Sequence, residues 1–181
     1  MQINHLVNDL SKVLLWICRH SIIRCHSSYP CGSSPHECEL PALITSVLNI
    51  LLDTHIAIWA ISNHPNLSEK ARKLISDPDN TIYFSSVSVW EVLLKHDSPK
   101  NNLTLTPDQF VGYCEESGYY QLHMSAKHVM AASSLDLSKV DKEHRDPFDR
   151  ILLSQAKAEN YSFLTHDSRI PLYNENCTIM A

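Results

Sequence analysis

The hydrophobic patterning of this chain changes character at residue 49: beyond it apolar runs alternate with stretches of helical period, whereas residues 1–48 hold no sustained period. Ile50-Leu51-Leu52 is a continuous apolar run, the pattern of a strand buried on both faces of a parallel sheet. It stops at Asp53, and the apolar positions Ile56, Ile58, Trp59 and Ile61 then predict a helix over Thr54–Ile61. Ser68 caps a second helix, Glu69–Ser76, ended by Asp77-Pro78, and Thr81–Ser85 reads as a second strand. A third helix is expected from about Val89 to His96, opened by a capping box of Ser88 and Glu91. Thr106-Pro107-Asp108-Gln109 opens a fourth, with Thr as cap and Pro at the first helical position. Tyr119–His123 reads as a strand, Ser125–Ser134 as a helix, Pro147–Glu159 as a long helix, and Tyr161–Thr165 and Cys177–Met180 as the last strands. Strands alternating with helices, without an internal repeat, predict an α/β fold on a parallel sheet. Trp59 and Trp90 fall on apolar helix faces and are expected in the core.

Length and composition add a boundary. A chain of 181 residues suits one ordinary domain plus an appendage, and 44% hydrophobic residues with only 3 Gly suit a packed core. Residues 1–48 carry Cys18, Cys25, Cys31 and Cys38 and break their own periodicity with Ser pairs and prolines. Their Cys and His lack the close ligand pairs of structural zinc sites. This stretch is expected to be an atypical extension, disordered or foreign to the native protein, with the domain over 49–181. The two remaining cysteines, Cys114 and Cys177, are far apart, which predicts free thiols and a cytoplasmic protein. No apolar run approaches the roughly 18 residues that span a bilayer, so no membrane is expected. The net charge of -5 lacks the basic excess of a typical nucleic-acid binder. A nuclease reading must therefore rest on a site.

That site is sketched by four acids. Asp53 ends the first strand, Glu91 opens the third helix, Asp149 lies in the first turn of the long helix, and Asp167 follows the Tyr161–Thr165 strand. In a parallel sheet strand ends and following helix starts share one edge, where ligands bind. Singly, each acid has a plain explanation: Glu91 as part of a capping box, Asp146 and Asp149 as helix-opening acids, Asp167 as a turn former. Asp53 is the exception, because a carboxylate continuing an apolar strand is costly to desolvate unless paired or bound to a cation. Together the acids demand more. Two carboxylates about 4 Å apart repel by roughly 4 kcal/mol at an effective dielectric near 20. A divalent cation offsets this, and oxygen-only donors suit Mg²⁺ or Mn²⁺ rather than zinc. Such a centre activates water against a phosphodiester. Ser154 and Cys114 have no triad partners in sight, and His55, His144 and His166, which flank the acids, read as caps or supports rather than bases.

The segments NILLDTH (49–55), SSVSVWEVLLK (85–95), HRDPFDRILLSQA (144–156) and LTHDSRI (164–170) resemble, in order and spacing, the motifs of PIN-domain toxins of the VapC type. The resemblance implies a three-layer α/β/α sandwich with a mostly parallel central sheet. It also implies an Mg²⁺- or Mn²⁺-dependent endoribonuclease cutting tRNA or rRNA, restrained by a cognate antitoxin and commonly dimeric. Asp53, Glu91, Asp149 and Asp167 match the metal-binding and catalytic acids, Asp146 and Thr165 supporting positions, and Lys95 and Arg150 positions near the RNA phosphates. The segment His96–Lys100 replaces a Gly-containing turn and further basic residues frequent in the family, and the N-terminal extension has no counterpart. Two alternatives stay open: a housekeeping RNA-processing nuclease without antitoxin, and a non-catalytic module that binds a metal or a partner.

Overall fold

The computed structural model describes residues 47–101, 103–141 and 146–181; the N-terminal cysteines and histidines, and His144 and Arg145 of the long motif, lie outside them. The described elements are β1 (Asn49–Leu52), α1 (Thr54–Ile61), α2 (Glu69–Ser76), β2 (Thr81–Ser85), α3 (Ser86–Asp97) and α4 (Pro107–Glu116). They continue with β3 (Tyr120–Leu122), α5 (Ala126–Ala131), α6 (Pro147–Glu159), β4 (Ser162–Thr165) and β5 (Thr178–Met180). The five strands form one sheet in the order β3-β2-β1-β4-β5, and all of its pairings are parallel. The sheet is thus wholly rather than mostly parallel.

Period-two alternation divides the core into two layers. Ile50 and Leu52 of β1, Ile82 and Phe84 of β2 and Leu164 of β4 pack with Ile56 and Ala57 of α1, Ala71 of α2 and Phe110 of α4. Leu51 and Phe163 point the other way, onto Leu152, Leu153 and Ala156 of α6. Ile50, Leu51 and Leu52 are all fully buried, as their unbroken apolar run predicts, and each such side chain contributes about 1.5–3 kcal/mol. The result is the expected helix–sheet–helix sandwich. Pairing already includes Leu48, whose carbonyl accepts from the Thr81 amide and whose amide donates to Asn80 Oδ1.

Local chemistry fixes the ends of the site-bearing elements. Thr106 and Gln109 exchange both bonds of a capping box at the start of α4. Asp146 caps α6 by accepting from the Phe148 amide, with Pro147 at the first position. Asn160 ends α6 in the left-handed conformation, at φ 58°, which Asn tolerates better than most residues. That turn sends the chain back through the sheet as β4.

Three expectations are corrected. First, α3 begins at Ser86, three residues earlier than the apolar period indicates, because Ser85 rather than Ser88 is its cap and accepts from the Val87 amide. Ser88 is buried inside the helix, and Glu91 sits in the second turn, so the Ser88–Glu91 capping box does not exist. Second, Trp90 is 55% exposed and packs on Phe148 at 4.9 Å instead of entering the core, whereas Trp59 does pack against the core. Third, the helix expected over Ser125–Ser134 stops at Ala131 and finishes as a 3-10 turn. Strand ends differ from expectation by one residue, which is ordinary fraying of a boundary.

Candidate active site

Asp53 leaves β1 at the point where the chain turns into α1. Its amide donates to the Leu164 carbonyl, continuing the ladder to β4, while its own carbonyl accepts the first helical bond from Ala57. The side chain is thereby held at the C-terminal edge of the sheet, only 4% exposed. Thr165 donates to Asp53 Oδ2 at 2.6 Å, and the same hydroxyl accepts from the Asp167 amide at 3.0 Å. Burial pushes the Asp53 carboxyl above its ordinary value, and the Thr165 bond opposes that shift.

Glu91 reaches the same edge from α3. Thr54, the residue after Asp53, donates to Glu91 Oε2 at 2.5 Å and lies 3.0 Å from the buried Ser88 hydroxyl. Lys95, one turn on, pairs with Glu91 Oε1 at 2.7 Å and lies 3.2 Å from His55 Nε2. Both carboxylate oxygens of Glu91 therefore have a fixed partner. Sequence reasoning missed Thr54 and Ser88, since a hydroxyl in a helix gives no signal of what it will face.

Asp149 stands in the first turn of α6. Its carboxyl is pushed up to about 7, first by burial and then by the charges of Asp53, Asp146, Asp167 and Glu91. Asp167 follows β4 and goes the other way. Arg169 Nε donates to both of its oxygens at 2.9 Å, a second nitrogen of the guanidinium contacts Oδ2, and this fork holds the acid below its usual range. The expected turn is also present, since the Asp167 carbonyl accepts from the Ile170 amide.

These residues line one cleft of about 370 Å³ that gathers Asp53, Glu91, Asp146, Asp149 and Asp167 with His55, Lys95, His166, Ser168 and Arg169. All the acids singled out from the sequence are therefore on one wall system, and Thr165 supports it from beneath. Lys95 lies in the cleft; Arg150 does not line it and is half-buried in α6. Ser168 and Arg169 also line the cleft, although neither was singled out from the sequence.

The donor set fits a hard divalent cation by its chemistry: five carboxylates line the cleft and no thiol does. Among the described residues no three His, Cys, Asp or Glu side chains are already drawn together as a closed metal shell. Among the described residues no helix is long and apolar enough to cross a membrane, and Cys114 and Cys177 are free thiols.

Comparison with known proteins agrees with this architecture. The family model described as PIN domain matches residues 50–175. No curated protein matches the chain. Among solved structures it is similar to VapBC2 from Rickettsia felis bound to a DNA fragment from their promoter, at 23% identity and a TM-score of 0.51, covering 74% of this chain and 98% of that one. DNA-bound VapBC from Salmonella typhimurium is similar at 18% identity and a TM-score of 0.48, over 68% of this chain and 90% of that one.

Proposed function

The chain belongs to the PIN-domain family, and from that premise we propose that it is an Mg²⁺- or Mn²⁺-dependent endoribonuclease acting as the toxin of a toxin–antitoxin pair. One observation carries the proposal: five carboxylates from four separate segments line a single cleft at the C-terminal edge of a parallel sheet. Capping accounts for Asp146 alone, and like charges sharing one cleft repel unless a cation compensates them.

Asp53, Glu91 and Asp149 would hold the ion, with Asp167 beside them and Asp146 in a supporting role. The bound ion supplies an activated water and neutralises charge on the phosphodiester. The chain's own residues prepare for this. Thr165 fixes the rotamer of Asp53 and favours its ionised form; Thr54 fixes the rotamer of Glu91. Asp149, with its carboxyl pushed up to about 7, is partly protonated near neutral pH, and a bound cation would favour its ionised form. Lys95 lies beside Glu91 where the scissile strand must approach, which is the placement expected of a phosphate-contacting cation. Arg150, deeper in α6, serves less directly.

The fold-level likeness to VapBC2 supports a cognate antitoxin as partner; the homodimeric assembly and the cytoplasmic setting belong to the same proposal on the family resemblance alone. Cleavage of tRNA or rRNA follows from the same family reading. The test is direct: the wild-type protein should cut RNA with Mn²⁺ and leave 5′-phosphate ends, and Asp53→Asn should abolish both cleavage and growth inhibition on expression. Full activity in that variant overturns the assigned site. A short neighbouring reading frame encoding a DNA-binding protein should accompany a toxin, and its absence favours a housekeeping RNA-processing enzyme.

A further inference from the structure

Three imidazoles gather round Trp59, and the chemistry above gives none of them a task. His166 meets the indole edge-on at 4.8 Å between ring centroids, His55 lies at 6.2 Å, and His64 runs nearly parallel to it at 6.0 Å. Trp59 itself is half-buried and packs on the core. His55 and His166 are exposed, and both line the cleft that holds the carboxylates.

An exposed imidazole ordinarily samples several rotamers. Here His166 rests on a fixed indole, and His55 is held between that indole and the Lys95 ammonium. Two planar rings are thus presented on the cleft wall with their ordering cost already met by the fold. Neither contributes to the core. What such rings recognise is another planar π-surface, and along a nucleic-acid strand that surface is a base.

Charge strengthens the argument. With a net charge of -5, the chain has no bulk basic excess to hold RNA by its phosphates beyond local cations such as Lys95. Base contacts must carry a larger share. We infer that His55 and His166, backed by Trp59, form a stacking shelf for an unpaired nucleobase next to the scissile phosphate. A base inside a duplex has both faces covered by its neighbours and cannot use the shelf. The inference rests on the nuclease reading for the identity of the strand, while the shelf itself is a binding property.

The experiment compares binding of a labelled single-stranded oligouridylate, an abasic strand of the same length and a duplex, by fluorescence anisotropy with Ca²⁺ in place of Mg²⁺ or Mn²⁺. The wild-type chain should prefer the base-bearing strand to the abasic strand by about tenfold, the value of one aromatic stack. The duplex should bind no better than the abasic strand. His55→Ala and His166→Ala should each move the preference towards one, and His166→Phe, which keeps a stacking face, should restore it. A wild-type preference near one overturns the shelf, as does an alanine variant that keeps the full preference or a phenylalanine variant that fails to rescue it. A protein that cuts RNA without any base preference overturns the shelf alone. One that prefers bases yet cuts no RNA under Mn²⁺ supports the shelf and overturns the nuclease reading.

Discussion

The Thr165 hydroxyl donates to Asp53 Oδ2 at 2.6 Å across 112 positions of sequence. It is the hydrogen bond that opposes the burial of Asp53 and helps keep that carboxyl ionised. Thr165→Val preserves volume and removes the donor, leaving a buried carboxylate oxygen to bear a penalty of about 1–3 kcal/mol. The expected outcome is weaker Mn²⁺ binding by isothermal titration, with the deficit growing as pH falls, since Asp53 must lose its proton before it binds. Thr165→Ser should bind as the wild type does. Equal affinity in the valine variant refutes this role for Thr165.

Asp149 makes the stability of the protein depend on pH and on divalent ions. Its ordinary value is 3.8, and the folded protein pushes it up to about 7. Below about pH 4 the group is protonated whether the chain is folded or not, so its contribution to stability is fully present there. Between about pH 4 and about pH 7 the unfolded chain ionises first, and that contribution is lost as pH rises through the folded value. Metal-free protein should therefore melt at falling temperature across this window. A divalent cation favours the ionised form, so the rise in Tm on adding Mg²⁺ should be larger at about pH 8 than at about pH 5. Asp149→Asn should flatten the metal-free profile and remove most of the Mg²⁺ effect. Thermal melts at three pH values decide it, and a Mg²⁺ shift independent of pH counts against the idea.

Arg169 occupies the acid that a metal would share. Its fork on Asp167 is an ion pair at the cleft margin, with the Arg169 side chain 44% exposed. Exposed pairs contribute roughly 0.2–1 kcal/mol, so removing the competing cation should tighten Mn²⁺ binding by up to about fivefold. Arg169→Ala is the variant to measure, by calorimetric titration at low and moderate salt, with the gain shrinking as salt rises. Unchanged or weaker binding would show that Arg169 organises Asp167 for the ion rather than competing with it.

Much of this was legible in the sequence because it is carried by local signals. The run Ile50-Leu51-Leu52 announces a doubly buried strand, and an acid placed directly after it is physically conspicuous. Thr106 and Gln109 declare their capping box by spacing alone. What failed was decided by partners and chain paths that residue spacing does not encode. Ser88 and Glu91 have capping-box spacing, yet Ser85 outcompetes Ser88 for the helix start, and Thr54 takes up both Ser88 and Glu91. Trp90 sits at an apolar helix position, but the opposite face of α3 supplies the core through Val87 and Val92. The fork of Arg169 on Asp167 depends on the trajectory of the chain after β4, which no periodicity encodes.

The helices bearing Glu91 and Asp149 are tied together beneath the site by a buried polar chain. Ser85, the cap of α3, donates to Gln155 Oε1 of α6 at 2.6 Å, and both residues are fully buried. Gln155 Nε2 lies 3.4 Å from His128 Nδ1, which also accepts from the Ser125 amide. This assigns the His128 proton to Nε2, 2.7 Å from Glu159 Oε1. Gln155→Leu strands the Ser85 hydroxyl in an apolar setting and should cost about 1–3 kcal/mol. Ser85→Ala should cost less, because Gln155 keeps its His128 contact while the Val87 amide loses its cap. The double variant removes both partners, so its loss should fall short of the two single losses added together by at least about 0.5 kcal/mol. Urea denaturation of the four proteins measures this directly. Additive losses would mean that the bond between α3 and α6 contributes nothing of its own, and that apolar packing alone sets the distance between the two acid-bearing helices.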